Sequence, residues 1–170
     1  FNVAARWMAC GSGPGELVVP PLDYTKEDNF GGIQLAESGP GERVSVAAVD
    51  SFDLQRCDLI KADVEGMEFA VLQGSIATIR RHWPRLYIEN NGRGDSPALI
   101  DFLMQLGYRL YWHLPPLFNP NNFASNPDNI FGKIQSSNMV CVGPQDKPVW
   151  GLRQVTGPND VGLQRHAEKR

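Results

Sequence analysis

Apolar positions recur along this chain with two periods. Short alternating or continuous apolar runs at 3–8, 16–19, 43–49, 58–62, 85–89, 108–112 and 138–142 predict strands. Two stretches carry the 3.6-residue period of a helix. In 66–81, Phe69, Leu72, Ile76 and Ile79 share one stripe, and in 97–106 Leu99, Phe102, Leu103 and Leu106 do so. The second helix is punctuated by Ser96 as N-cap, Pro97 at the first helical position and Gly107 past the end. From 58 to 112 the elements alternate as strand, helix, strand, helix, strand, the pattern of a parallel sheet with right-handed crossovers.

Other segments lack a period. Gly11 to Gly15 is turn-rich, and Pro20-Pro21 stops the strand before it. Residues 22–43 and 113–136 read as long loops, a length that in compact domains is functional or mobile. Beyond Gly143, Pro, Gln, Asp and Lys accumulate, so the expected division is an α/β domain at 1–150 and a loosely held tail at 151–170.

Composition narrows the function classes. Of the 170 residues, 42% are hydrophobic and 21% charged, ordinary for a globular domain, and the net charge of −3 argues against nucleic-acid or membrane-surface partners. No apolar run reaches membrane-span length and no signal-peptide pattern opens the chain. Cys10, Cys57 and Cys141 are widely spaced and odd in number, which predicts free thiols, a reducing compartment and a cytoplasmic location. His82, His113 and His166 have no metal-ligand spacing, so no metal is expected. Gly11-Ser12-Gly13-Pro14-Gly15 is not read as a phosphate loop, because no helix follows it, and Arg93-Gly94-Asp95 is a turn before a helix.

The densest information lies at 58–74, Asp-Leu-Ile-Lys-Ala-Asp-Val-Glu-Gly-Met-Glu-Phe-Ala-Val-Leu-Gln-Gly. Asp63, Glu65 and Glu68 cluster where a strand hands over to a helix, and ligands of open α/β sheets bind at that end of a strand. The stretch resembles the FkbM family of S-adenosylmethionine-dependent methyltransferases, whose signature runs Lys-x-Asp-Val-Glu-Gly-x-Glu followed by Val-Leu-x-Gly. Val49-Asp50-Ser51-Phe52, Trp83 to Asn90, Asn29-Phe30-Gly31-Gly32 and Ser137 to Cys141 are similar to further family segments, so the likeness spans 2–143.

The resemblance implies a three-layer Rossmann-like fold, a mostly parallel sheet with an antiparallel closing strand, and S-adenosylmethionine as methyl donor. The family's glycine-rich cofactor loop has no counterpart here. The expectation is therefore an N-terminally truncated methyltransferase, its first residue Phe1 left by processing or by cutting from a longer reading frame. Such a piece is inactive alone.

Methyl transfer to a hydroxyl requires alignment of the reacting atoms and a group that receives the acceptor's proton. Asp63, Glu65 and Glu89 are the catalytic candidates, as carboxylates ending strands that the alternation makes neighbours. The bland alternative makes Asp63 a cap of helix 66–81, with Glu65 and Glu68 complementing its dipole. Ala9 and Cys10, which the resemblance places near the adenine, and Asp63 are the cofactor candidates; ordinary strand-to-turn residues are the alternative. Asn29, Phe30, Asn90, Trp112 and His113 are acceptor-side candidates, since amide and aromatic groups suit a sugar, polyketide or other small-molecule or glycan acceptor. A noncatalytic binding module and a hydrolase using paired carboxylates are the rival readings. Finally, strand 58–62 would lack its neighbour in a truncated fold, so either residues 3–19 or 44–49 cover its edge or two chains pair there as a homodimer.

Overall fold

The fold is known from a computed structural model that describes residues 2–27, 29–92 and 94–162. No helix among them is long and apolar enough to cross a membrane. The architecture is α/β, and the chain divides into two compact units, Phe1–Asp58 with Ala62–Pro84, and Leu59–Lys61 with Arg85–Arg170.

The first unit holds a three-stranded sheet of β1 (Ala9–Cys10), β2 (Gly15–Val19) and β3 (Glu42–Ala47). Its order is β1-β3-β2, with β1 parallel and β2 antiparallel to β3. The first strand lies later than the apolar run at 3–8 suggests: Val3 and Trp7 are exposed, and pairing begins where Ala9 meets Val46. Two helices follow, α1 (Glu68–Gln73) and α2 (Ile76–His82), in place of one continuous helix 66–81. Gly74 occupies the break, and a Cβ built there would overlap the carbonyl oxygen of Gly11. Only glycine permits that approach. The N-terminus of α2 is satisfied by Asp50, whose carboxylate accepts the N–H groups of Ala77 and Thr78 at 2.8 Å each. Partial burial opposes ionisation of Asp50, but these bonds together outweigh it and lower its pKa. Val71, Leu72 and Ile79 fill the core of this unit with Val18, Val44 and Ala62.

The second unit is built on a five-stranded sheet of β4 (Leu59–Ala62, of which Leu59–Lys61 belong to this unit), β5 (Arg85–Glu89), β6 (Arg109–His113), β7 (Asn138–Val142) and β8 (Arg153–Gln154). Its order is β4-β5-β7-β6-β8, and β7 runs antiparallel to both β5 and β6. The strands β5 and β6 therefore point the same way, as the alternating pattern requires, but the closing strand is wedged between them. The sheets are mixed, and the mostly parallel arrangement is met only at the level of an α/β fold. Strands 3–19 and 44–49 do not extend the edge at β4; they form their own sheet.

Helix α3 (Ser96–Gln105) connects β5 to β6, with Asp95 rather than Ser96 at the N-cap, and buries Leu99, Ile100 and Leu103, while Phe102 and Leu106 are half-buried. The tail expected from 151 onward is fastened over its described part: β8 pairs with β6, Val155 is buried, and Asp160 accepts two bonds from Arg153 and two from Thr156. Residues 163–170 lie outside the described residues. So does Arg93, of the expected turn. Cys10, Cys57 and Cys141 form no disulfide, and burial pushes the Cys141 thiol far above its ordinary pKa.

Candidate active site

The acidic turn belongs to the first unit. Asp63 follows the last residue of β4 and is exposed, Glu65 is half-buried and Glu68 is buried. The backbone turns through two left-handed residues, Glu65 at φ 50° and Gly66 at φ 99°. Glycine adopts such angles freely; a glutamate held there is strained. Glu68, the first residue of α1, explains how the turn is held: its Oε1 accepts the N–H groups of Val64 at 3.0 Å and Gly66 at 3.3 Å. Asp63 is not the cap of α1, since Met67 occupies the N-cap with no side-chain bond.

This geometry sets the electrostatics. Burial, then the charges of Asp63 and Glu68, raise the Glu65 pKa above the usual carboxylate range. The loop at 29–34 flanks the turn. A Cβ built at Gly32 would overlap the Asn29 amide nitrogen and lie 3.8 Å from Glu65 Oε2, and one at Gly66 would lie 3.6 Å from Gln34 Nε2. The structure thus brings Asn29 to Glu65. Phe30 instead stacks on Tyr24, with ring centroids 5.3 Å apart.

Ala9 and Cys10 are half-buried in β1 and pair with Val46 and Ala47. One residue further on, a cleft of about 370 Å³ opens, floored by Gly11, Val46, Met67 and Ala70, with Glu16 and Glu37 among its lining groups. A Cβ at Gly11 would meet Val46 Cγ1 at 2.9 Å, so the cleft needs glycine at that point. No sequence signal singles out Glu16, Glu37 or Met67, which come from separate elements.

In the second unit, register aligns a polar row at the end of three strands. Glu89 pairs with Asn138, and Asn138 with His113. Directly paired residues project from the same face, so these three share a side with Tyr87, two positions before Glu89. The Tyr87 hydroxyl and His113 Nδ1 are 2.9 Å apart. Since β5 and β6 run together, the row stands at their carboxyl ends, where open sheets bind ligands. Tyr87 was legible from strand alternation, which puts it on the Glu89 face. Asn138 was not, because its neighbours depend on where β7 inserts.

Two acceptor-side candidates have structural partners. Asn90 is buried, accepts the Gly92 N–H at 3.0 Å and donates to Met139 Sδ, so it builds the turn after β5. Trp112 is buried on the opposite face from His113; its indole N–H reaches Asp160, and Gly162 lies against its ring.

The methyltransferase FkbM domain model matches residues 20–110, more than half of the 170-residue chain. The chain belongs to the FkbM methyltransferase family. The matched span begins just after β2 and ends in β6, so it takes in the acidic turn, Tyr87, Glu89 and Asn90 of this FkbM chain, and leaves His113 and Asn138 outside. No curated protein and no solved structure is significantly similar to it.

Proposed function

We propose that this FkbM-family chain serves S-adenosylmethionine-dependent O-methylation of a hydroxyl on a sugar, polyketide or similar small acceptor, on a Rossmann-like variant of the α/β fold. The observation that carries the reading is the acidic turn Asp63–Glu68, built within the family match and holding an exposed carboxylate beside a half-buried one.

When bound, the donor's sulfonium supplies an activated methyl group and its own leaving group. The chain's residues supply position and a proton acceptor. Asp63, exposed and next to the strand end, is the carboxylate that receives the acceptor's proton. Within the first unit Glu65, with Asn29 beside it, orients the hydroxyl; Glu89 and His113 of the second unit are acceptor-binding candidates. The cleft beyond Ala9 and Cys10 fits a nucleoside: an apolar floor for a base, a glycine backbone that allows close approach, and carboxylates able to accept from ribose hydroxyls.

Methyl transfer from labelled donor to an acceptor panel, measured on the wild-type protein and on Asp63→Ala, tests the proposal. Turnover falls at least about 100-fold while the thermal midpoint stays within a few degrees. Wild-type turnover in Asp63→Ala would defeat the assignment.

A further inference from the structure

The connection from β6 to β7, residues 114–136, has a stem and a braced tip. At the stem, Leu117 donates its N–H to the Ile134 carbonyl and Ser136 to that of Pro115, each at 3.0 Å, and Pro116 bridges Gln135. Asparagine side chains hold the tip. Asn119 accepts the Asn121 N–H at 2.9 Å. Asn122 accepts the Asn126 N–H at 3.0 Å and donates to the Asn126 and Asn119 carbonyls at 2.7 and 3.1 Å. Asn126 accepts the Asp128 N–H at 3.0 Å, while Asn129 accepts that of Phe131 at 3.1 Å and donates to the Gly132 carbonyl at 2.9 Å. Pro120 and Pro127 have no N–H to satisfy. The tip's own amides thus take the place that water holds on ordinary loop backbone.

What this frame displays is apolar. Phe123 is fully exposed, Ile130 is 82% exposed, and Leu117, Phe131 and Ile134 also stand in solvent. Apolar side chains scattered singly over a surface are ordinary, but these share one braced loop. Between Leu114 and Ser136 the only charged side chains are Asp128 and Lys133, one of each sign. A partner is therefore met through apolar contact, with no net charge on the tip to attract or repel it. A folded protein partner would need a pocket shaped to Phe123 and polar groups on the tip left to pair with its own. The asparagine amides are already engaged with backbone. A bilayer interface requires the reverse: apolar side chains that project, and backbone groups satisfied from within, because hydrocarbon offers no hydrogen bonds. Fluid lipid also moulds around a projecting ring.

We infer that the tip at 117–134 docks on a neutral, zwitterionic phospholipid surface by inserting Phe123 and Ile130. The expectation of no membrane-surface partner rests on the net charge of −3, which governs attraction to anionic lipid. Insertion of uncharged side chains does not draw on that attraction. The element lies on the surface; no helix among the described residues is long and apolar enough to cross it. Docking needs no methyl donor and stands apart from the proposed reaction.

The test is co-sedimentation of the chain with phosphatidylcholine vesicles over a series of lipid concentrations. The expected result is saturable binding that raising the salt to about 0.5 M leaves unchanged. Phe123→Asp and Ile130→Asp each weaken the partitioning about tenfold, with thermal midpoints unchanged because both side chains are exposed. Trp150→Ser removes an exposed apolar ring outside the loop and leaves the binding as it was. Wild-type protein that stays in the supernatant, or an equal loss in Trp150→Ser, would overturn the inference. So would a dimer in sedimentation velocity that Phe123→Asp dissociates, in a chain that ignores the vesicles, since the tip would then pair copies of the chain. Vesicle binding and methyl transfer are read in separate assays, so failure of one does not imply failure of the other.

Discussion

The carboxylate of Glu68 folds back over the start of its own helix and accepts the N–H of Val64 at 3.0 Å. This single bond, with the longer one to Gly66, ties the residue that opens α1 to the turn that displays Asp63 and Glu65. The family signature's second Glu is thus a structural brace in this chain. Replacing it separates brace from chemistry. Glu68→Ala removes two bonds to a charged acceptor and lowers unfolding free energy by about 2 kcal/mol. Glu68→Gln keeps an acceptor oxygen and costs less than half of that. Urea midpoints for the three proteins check the order, and equal midpoints for Ala and Gln variants would contradict the brace.

Glu65 gives the fold a pH dependence of definite sign. Burial and the neighbouring charges of Asp63 and Glu68 raise its folded pKa above the unfolded value. The folded state then holds this proton more tightly than the unfolded chain, so the Glu65 contribution becomes less favourable as pH rises through the acid range to neutrality. Glu65→Gln removes the penalty. The variant melts higher than wild type at pH 7, and the gap closes as pH falls below the unfolded glutamate value. Thermal melts across pH 4 to 7.5 read it, with a constant gap counting against it. Asp50, whose folded pKa is depressed, works in the opposite sense: its contribution is present above the unfolded aspartate pKa and is lost as pH falls, so the Glu65 effect is read as a difference from wild type at each pH.

Gly74 is a packing requirement rather than a turn requirement. Its φ of −76° suits any residue, yet a Cβ would overlap the Gly11 carbonyl oxygen and crowd the Ala48 Cα at 3.2 Å. Both obstacles are backbone and cannot rotate away. Gly74→Ala therefore costs about 3 kcal/mol, whereas Gly13→Ala, with nothing within 4 Å, stays within about 0.5 kcal/mol. Chemical denaturation of the pair checks this. A tolerated Gly74→Ala would mean that the β1 turn and the α1–α2 junction separate easily.

The chain's own order of residues determined more of the second half than of the first. The runs at 85–89 and 138–142 became strands with the expected bounds, and 97–106 became a helix shifted by one residue, because burial on one or both faces leaves a strong period in the sequence. The signature at 58–74 determined family membership and placed Asp63 and Glu65 in a turn after a strand, since that motif is local. Three things were decided only in three dimensions. The break at Gly74 answers to the Gly11 backbone 63 residues earlier, a contact that helical periodicity in Phe69, Leu72, Ile76 and Ile79 does not register. The insertion of β7 between β5 and β6 made the sheet mixed, because strand order depends on edges and register rather than on the period of any one strand. The same insertion set Asn138 between Glu89 and His113 and let Tyr87 reach the imidazole. Residue types at 87, 89 and 113 were visible from the start; their common face came from the hydrogen-bond ladder that aligns them.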